Sequence, residues 1–169
     1  MIMVRNVTPD DWALLRDIRL RALRDSPDAF GTTYVEAVGY DDQVWRTRAS
    51  GGSMFFACLD GRPDQPVGLA GGYLEQPGEV HLISMWVAPE ARGQAAGEAL
   101  VEAVASWAFA THHADCLHLW VTEANKPAVR LYERIGFRAT GARQPLPSNP
   151  ALSEIAMSRP IVASLETQP

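Results

Sequence analysis

One stretch of the chain decides its fold: Val87-Ala88-Pro89-Glu90-Ala91-Arg92-Gly93-Gln94-Ala95-Ala96-Gly97-Glu98-Ala99-Leu100. An apolar run at 82–87, typical of a strand, leads into it, and a helical pattern of apolar residues leads out of it. Between them lies a turn of small residues, which let a ligand approach the backbone closely. The first amides of the following helix have no intrahelical partner, and with the helix dipole they attract anions. The pattern predicts a strand, a phosphate-binding loop and a helix; the alternative is an ordinary strand–helix connection.

A second stretch reads Asn125-Lys126-Pro127-Ala128-Val129-Arg130-Leu131-Tyr132-Glu133-Arg134-Ile135-Gly136-Phe137. It is similar, position for position, to the Asn-x-x-Ala-x-x-Leu-Tyr-x-x-x-Gly-Phe segment of the GNAT superfamily of acyl-CoA-dependent N-acyltransferases. Residues 92–97 resemble that family's Arg/Gln-x-x-Gly-x-Gly/Ala pyrophosphate loop. There is one departure, because Ala95 stands where the loop has its first glycine, whereas Gly97 keeps the second.

Alternating and helical patterns along the chain give the order β-α-α-β-β-β-α-β-α-β-β, which indicates a mixed α+β fold. The resemblance implies a central, mostly antiparallel sheet of about seven strands flanked by about four helices and splayed between strands 4 and 5. We expect one domain at 1–162 and a frayed tail at 163–169. Predicted strands cover 1–7, 53–59, 66–75, 79–87, 116–122, 138–144 and 152–159. Pro145, Pro147 and Pro150 predict a semi-rigid loop between the last two strands.

The resemblance also implies acetyl-CoA as cosubstrate. Backbone amides at 94–98 would surround its pyrophosphate with Arg92 as a charged neighbour, and amides near Trp86 and Val87 would hold the oxyanion. The residues expected to bind the cofactor are Met85, Trp86, Val87, Arg92, Gly93, Gln94, Ala95, Ala96, Gly97, Glu98, Asn125, Ala128, Leu131 and Tyr132.

Transfer of an acyl group from a thioester to an amine needs a base and an acid. A primary amine with a pKa near ~10 is protonated at neutral pH and must lose that proton, and the departing thiolate is helped by a proton donor. Tyr132 matches the family tyrosine that faces the cofactor sulfur. For the base we rank Glu79, at the start of the fourth strand, ahead of His81, whose ordinary pKa suits the task. Glu154 in the last strand is a third option.

The acceptor pocket is less defined by the sequence. Residues 19–30 also resemble the N-terminal region of family members, whose corresponding loops flank the acceptor. Phe30 and Tyr34 are therefore candidate pocket residues together with Glu154, and plain packing is the alternative for the aromatics. The arginines of the first helix have two interpretations, a solvated face or a contribution to the rim of the active site. They are Arg16, Arg19, Arg21 and Arg24.

Composition narrows the function classes. The chain of 169 residues is 47% hydrophobic with a net charge of −5, which suits one folded domain and disfavours a nucleic-acid partner. The acidic balance mildly favours a cationic acceptor. No apolar run approaches the roughly 20 residues of a membrane span, no signal peptide is evident, and the histidines show no metal-ligand spacing. Cys58 and Cys116 are expected to be free thiols, and a cytoplasmic location follows.

The sequence thus predicts an N-acetyltransferase that moves an acetyl group from acetyl-CoA to a primary amine, by direct attack in a ternary complex. The acceptor is a small molecule or a peptide, and a homodimer stays open. One alternative is a non-catalytic acyl-CoA-binding sensor or regulatory domain, which the departure at Ala95 keeps open. A doubly wound nucleotide binder would need a repeated βαβ pattern that the chain lacks.

Overall fold

The computed structural model describes residues 1–161, so the tail expected at 163–169 lies outside the described residues. The strands are β1 (Ile2–Asn6), β2 (Met54–Leu59), β3 (Pro66–Gln76), β4 (Glu79–Val87), β5 (Cys116–Thr122), β6 (Arg138–Leu146) and β7 (Asn149–Pro160). The helices are α1 (Trp12–Asp25), α2 (Tyr34–Val38), α3 (Asp42–Ala49), α4 (Ala96–His112) and α5 (Lys126–Arg134).

The strands form one 7-stranded sheet in the order β1-β2-β3-β4-β5-β7-β6. All neighbours are antiparallel except β4 and β5, which run parallel. That parallel ladder consists of two register pairs, Val80 with Leu117 and His81 with His118. Beyond His81 the two strands separate, and the expected mixed sheet with a splay between its fourth and fifth strands is confirmed.

Helices cover both faces of the sheet, and each face has its own core. On one face, α4 buries Leu100, Val104 and Ala108 against the strands. On the other face, α1 and α3 bury Leu15 and Trp45. Burial of large apolar side chains on both faces, worth about 1.5–3 kcal/mol each, fixes how the helices lie around the splay.

Two details differ from the prediction. The short helix α2 adds a fifth helix to the four expected, because Thr33 caps it by accepting a hydrogen bond from the amide of Glu36 at 3.1 Å. The predicted proline loop is wrong in extent, since β6 continues to Leu146 and β7 begins at Asn149. Pro145 is tolerated in β6 because β6 is the edge strand of the sheet, where proline occurs.

Candidate functional site

The separation of β4 and β5 opens a cleft of about 670 Å³. Residues 82–85 of β4 form part of one wall, and residues 119–122 of β5 form part of the other. α1, α3 and the loop before α2 contribute further walls, and α5 contributes Ala128 and Tyr132. The described residues therefore bring the second motif and the splayed strands to one cavity.

The backbone of β4 is irregular where it lines the cleft. Leu69 pairs with Trp86 and Gly71 pairs with Ile83, so β4 spends one residue more than β3 over this interval. Ser84 there has a φ of +58°, which is uncommon for a residue other than glycine. A bulge of this kind leaves its extra residue out of the ladder, so Ser84 and Met85 can present amides to a ligand.

Trp86 and Val87, where oxyanion donors were expected, lie just past this bulge. Both are in register with β3, Trp86 opposite Leu69 and Val87 opposite Gly68. The indole N–H of Trp86 donates to the carboxylate of Asp25 at 3.1 Å, which directs its side chain toward the end of α1. Neither residue lines the cleft.

The loop before α4 forms despite its alanine. Gly93 has a φ of +80° and Ala95 a φ of +62°, so Ala95 is left-handed at a cost of roughly 1–2 kcal/mol. No side chain caps α4 at Ala95, and an uncapped helix start offers free amides to an anion. A Cβ on Gly97 would lie 2.9 Å from Cε of Met85 and 3.1 Å from Cδ2 of Leu131, which explains the glycine at this close approach.

Two hydrogen bonds hold the side chain of Arg92 in place. Its Nε donates to the carbonyl of Val87 at 3.0 Å, and its Nη2 donates to the carboxylate of Asp25 at 3.1 Å. The side chain is nevertheless 53% exposed. Arg92 therefore ties the loop to the end of α1 and adds positive charge near the start of α4.

The second motif forms as its residue types predict. Asn125 caps α5 by accepting a hydrogen bond from the amide of Ala128 at 3.4 Å. Tyr132 lines the cleft, and its ring meets that of Phe137 edge-on at 5.6 Å between centroids. Burial raises the pKa of Tyr132, because the phenolate would lose its hydration. The phenol thus keeps its proton at neutral pH, and the same burial makes it a weaker acid than an exposed tyrosine.

The two first-ranked base candidates are in contact. Nε2 of His81 lies 3.2 Å from Oε1 of Glu79, and Gln76 donates to Oε2 of Glu79 at 2.5 Å. The hydrogen bonds from His81 and Gln76 lower the pKa of Glu79, which makes its carboxylate a weaker base. His81 lines the cleft, whereas Glu79 does not. The ring of His118 stacks on His81 at 5.4 Å.

Of the three candidates for the acceptor pocket, two line the cleft and one does not. Phe30 and Glu154 line the cleft, and both are buried. Oε1 of Glu154 accepts a hydrogen bond from Gln144 at 2.6 Å. Tyr34 lies outside the cleft lining, where the guanidinium of Arg24 sits 5.0 Å from its ring centroid.

The sequence named Arg19 only as one of four possible rim arginines, and it did not identify Arg48. Arg19 and Arg48 both line the cleft. Arg19 was one of four arginines on a helix surface, and nothing in their spacing distinguishes the one that faces the cavity from the others. For Arg48 on α3, too, no feature of the sequence indicates that it faces the cavity.

Other site types find no support in residues 1–161. There is no group of histidine, cysteine and carboxylate side chains that could hold a metal. Among the same residues, no helix combines the length and the apolar character of a membrane span. Cys58 and Cys116 are free thiols, as expected.

Comparison with known proteins gives matches across most of the chain. The sequence model of the acetyltransferase (GNAT) family matches residues 14–137. The structure of yncA from Salmonella typhimurium, solved with its cofactor acetyl-CoA, superposes with a TM-score of 0.76 at 16% identity, covering 100% of this chain and 98% of that one.

Two N-acetyltransferase structures are similar in the same way. The ribosomal-protein-S18-alanine N-acetyltransferase from Escherichia coli has a TM-score of 0.67 at 18% identity over 100% of this chain and 99% of that one. NAA60 from Arabidopsis thaliana, in complex with a bisubstrate analogue, has a TM-score of 0.69 at 19% identity over 97% and 100%. At these identities the structural likeness concerns the fold.

Proposed function

The chain belongs to the acetyltransferase (GNAT) family, and on that premise we propose that it transfers an acetyl group from acetyl-CoA to a primary amine. The proposal rests on two structural features that lie next to each other, the start of α4 and the cleft. An uncapped α4 start follows a loop with two left-handed residues, and the cleft beside it contains Tyr132 and the bulge of β4. The first feature suits a pyrophosphate, and the second suits acyl transfer.

The fit to the cofactor rests on three features of the loop: the glycine at 97, the free amides at the start of α4 and the charge of Arg92. Gly97 lets α4 approach Met85 and Leu131 closely, so the helix start lies against the strand that lines the cleft. The free amides at the start of α4 and the charge of Arg92 favour a diphosphate. Two structures of this fold, from Salmonella typhimurium and Arabidopsis thaliana, were solved with acetyl-CoA.

When bound, acetyl-CoA supplies a thioester carbonyl for attack by the amine. The chain's own contribution begins at the bulge, where amides of Ser84 and Met85 would donate to the carbonyl oxygen as it gains negative charge. The amine nitrogen bonds to the acetyl carbon first; as the carbon–sulfur bond then breaks, Tyr132 would give its proton to the departing thiolate and regain one from solvent. Since burial raises the pKa of Tyr132, the phenol is fully protonated before transfer.

The amine proton goes to His81 in this proposal, directly or through a water molecule. Of the two first-ranked base candidates, His81 is the one that lines the cleft, and histidine is the residue most often used as a general base. Glu79 acts behind it: its carboxylate accepts a hydrogen bond from the imidazole and stabilises the imidazolium that forms. This exchanges the order in which the sequence ranks the two residues.

Calorimetry with two ligands tests the cofactor proposal. Acetyl-CoA should bind at least about a hundredfold more tightly than S-acetylpantetheine, which lacks the pyrophosphate, because charge-assisted hydrogen bonds are worth roughly 1.5–3 kcal/mol each. Release of CoA in the presence of an amine panel then tests the transfer. Equal affinity for the two ligands would contradict the pyrophosphate site. Tight binding of acetyl-CoA without transfer to any amine would instead identify a non-catalytic acyl-CoA-binding module.

A further inference from the structure

One wall of the cleft is positively charged, and its charges lack partners. Arg19 of α1 and Arg48 of α3 both line the cavity. Within residues 1–161, neither guanidinium forms an ion pair with a carboxylate within 4.0 Å. Three other arginines near α1 are paired: Arg16 with Asp17, Arg21 with Glu90 and Arg92 with Asp25.

Of these two arginines, Arg19 has the charge with fewer stabilising contacts. Its Nη1 is buried and has no hydrogen-bond partner, and it is the one side-chain atom in that condition among the described residues. Its guanidinium lies over the ring of Phe30, with 4.5 Å from Cζ to the ring centroid. Burial, together with repulsion from Arg48, lowers the pKa of Arg19 to about 10, so it is still cationic at neutral pH.

A desolvated guanidinium without a carboxylate costs free energy, and natural structures rarely leave such donors unmatched. The stacking on Phe30 recovers part of that cost but satisfies no N–H group. Arg48 stacks on Tyr40 and Trp45, and these contacts also satisfy no N–H group. Two neighbouring cations that repel each other are both stabilised when a single anion binds between or beside them.

Other elements contribute groups of a different character to the same cleft. His81 of β4 and Glu154 of β7 line it, and Glu154 is buried with its hydrogen bond to Gln144. The basic and acidic groups thus face one cavity from different elements. A ligand with an amine and an anion in the same small molecule would match this distribution, whereas a simple cationic amine would meet the two arginines as like charges.

We propose that the acceptor of this acetyltransferase is a small amine that also carries a carboxylate or a comparable oxyanion, which binds to Arg19 with support from Arg48. The guanidinium presents its N–H groups in a planar fork that suits two carboxylate oxygens. The inference rests on the proposed function and adds the substrate class. It also reverses the expectation of a cationic acceptor that the net charge of the chain favoured.

Matched acceptors provide the test. A panel of amino acids, each with its primary amide and its decarboxylated amine, is assayed for CoA release at saturating acetyl-CoA. The acid of at least one triplet should show a kcat/KM about tenfold to a hundredfold above its amide and amine, the range for a hydrogen bond to a charged group. Amides or amines without the carboxylate that match or exceed their acids would overturn the inference. So would a protein that binds acetyl-CoA and acetylates no acid in the panel.

Two substitutions separate recognition from folding. Arg19→Met should lower kcat/KM for the preferred acid about tenfold to a hundredfold more than for its amide, and thermal unfolding should occur at an equal or higher temperature because an unpaired cation is removed. Arg46→Met is the control: Arg46 also stacks on an aromatic ring, Trp12 at 4.2 Å, but does not line the cleft. It should leave the acid-to-amide preference unchanged.

The outcomes distinguish the two proposals. If calorimetry detects no acetyl-CoA binding, the proposed function itself fails. If acetyl-CoA binds but Arg19→Met and Arg46→Met change the acid-to-amide preference equally, only the substrate class is overturned. A fall in unfolding temperature for Arg19→Met with an unchanged preference would show that Arg19 serves the fold.

Discussion

The imidazole of His81 lies 3.2 Å from the carboxylate of Glu79, two residues earlier on the same face of β4. Of these two residues, only His81 lines the cleft. The imidazole can therefore contact a ligand, and the carboxylate of Glu79 holds the imidazole from behind. Such support favours a fixed ring orientation and the protonated form that follows proton abstraction.

Replacing each member of this pair should change the rate–pH profile differently. His81→Gln should lower kcat roughly 10²-fold or more and abolish the acidic limb, because the base itself is removed. Glu79→Gln should retain more activity and keep an acidic limb, because the base stays in place and only its carboxylate partner is lost. Steady-state rates from pH 5 to 9 would decide this. If His81→Gln preserves the wild-type profile, another base such as Glu154 must act.

Tyr132→Phe should keep the fold and most of the affinity for acetyl-CoA while lowering kcat on the order of 10²-fold. Its ring stays packed on Phe137 in the variant, since only the hydroxyl is lost. An equal fall in kcat and kcat/KM would indicate an interaction formed in the transition state. Chemical unfolding of the same variant is the control, and a lost stability with an unchanged kcat would make the hydroxyl structural.

Ala95→Gly should stabilise the loop, because Ala95 adopts a φ of +62° that glycine reaches without the penalty of a Cβ. The gain is partly offset by the greater freedom of glycine in the unfolded chain. We expect acetyl-CoA affinity to be unchanged or higher when measured by calorimetry. A large loss of affinity would show that the methyl group itself contributes to the binding site.

Asp11→Asn should weaken the fold at neutral pH. Arg5 donates to both carboxylate oxygens of Asp11 at 2.7 and 3.0 Å, and the amide of Thr8 donates at 2.8 Å. The hydrogen bond from Arg5, with help from Thr8, lowers the pKa of Asp11 to about 2. Because the folded value is below the unfolded one, the ionised form stabilises the fold above about pH 4, and this contribution is lost as the pH falls toward 2.

Urea unfolding at several pH values measures that contribution. At pH 7 the variant should lose on the order of 2 kcal/mol of unfolding free energy, and the gap to wild type should narrow in acid. Asp10→Asn is a suitable control, because Asp10 is exposed and forms no ion pair among the described residues. A deficit that does not vary with pH would argue against the Arg5 pair as its cause.

Local signals predicted much of the framework. The bounds of β4 and β5 coincide with those expected from apolar patterning, and α5 follows the cap at Asn125. These features depend on residues close together in the sequence, so they can be read from the sequence alone. The fold class followed from two motifs whose order and residue types are specific, and the family match over residues 14–137 confirms it.

What the sequence did not reveal depends on partners distant in the chain. Ser84 gives no sign that it would adopt a positive φ, since the bulge arises from the pairing of β4 with β3. Arg19 differs from Arg16 and Arg21 by what lies opposite it after folding, and that is a property of α3 and the cleft. Tyr34 lies outside the cavity, where its ring meets the guanidinium of Arg24 on α1, a contact that forms only on folding.

The short ladder between β4 and β5 has a consequence for cooperativity. With two register pairs joining them, the block of β1 to β4 and the block of β5 to β7 share few backbone hydrogen bonds across the sheet. We therefore expect native-state hydrogen exchange to detect opening of one block without the other, as separate unfolding units. A ligand that contacts both strand edges binds only the closed arrangement and favours it in proportion to the logarithm of ligand concentration. The cosubstrate would then merge two unfolding units into one.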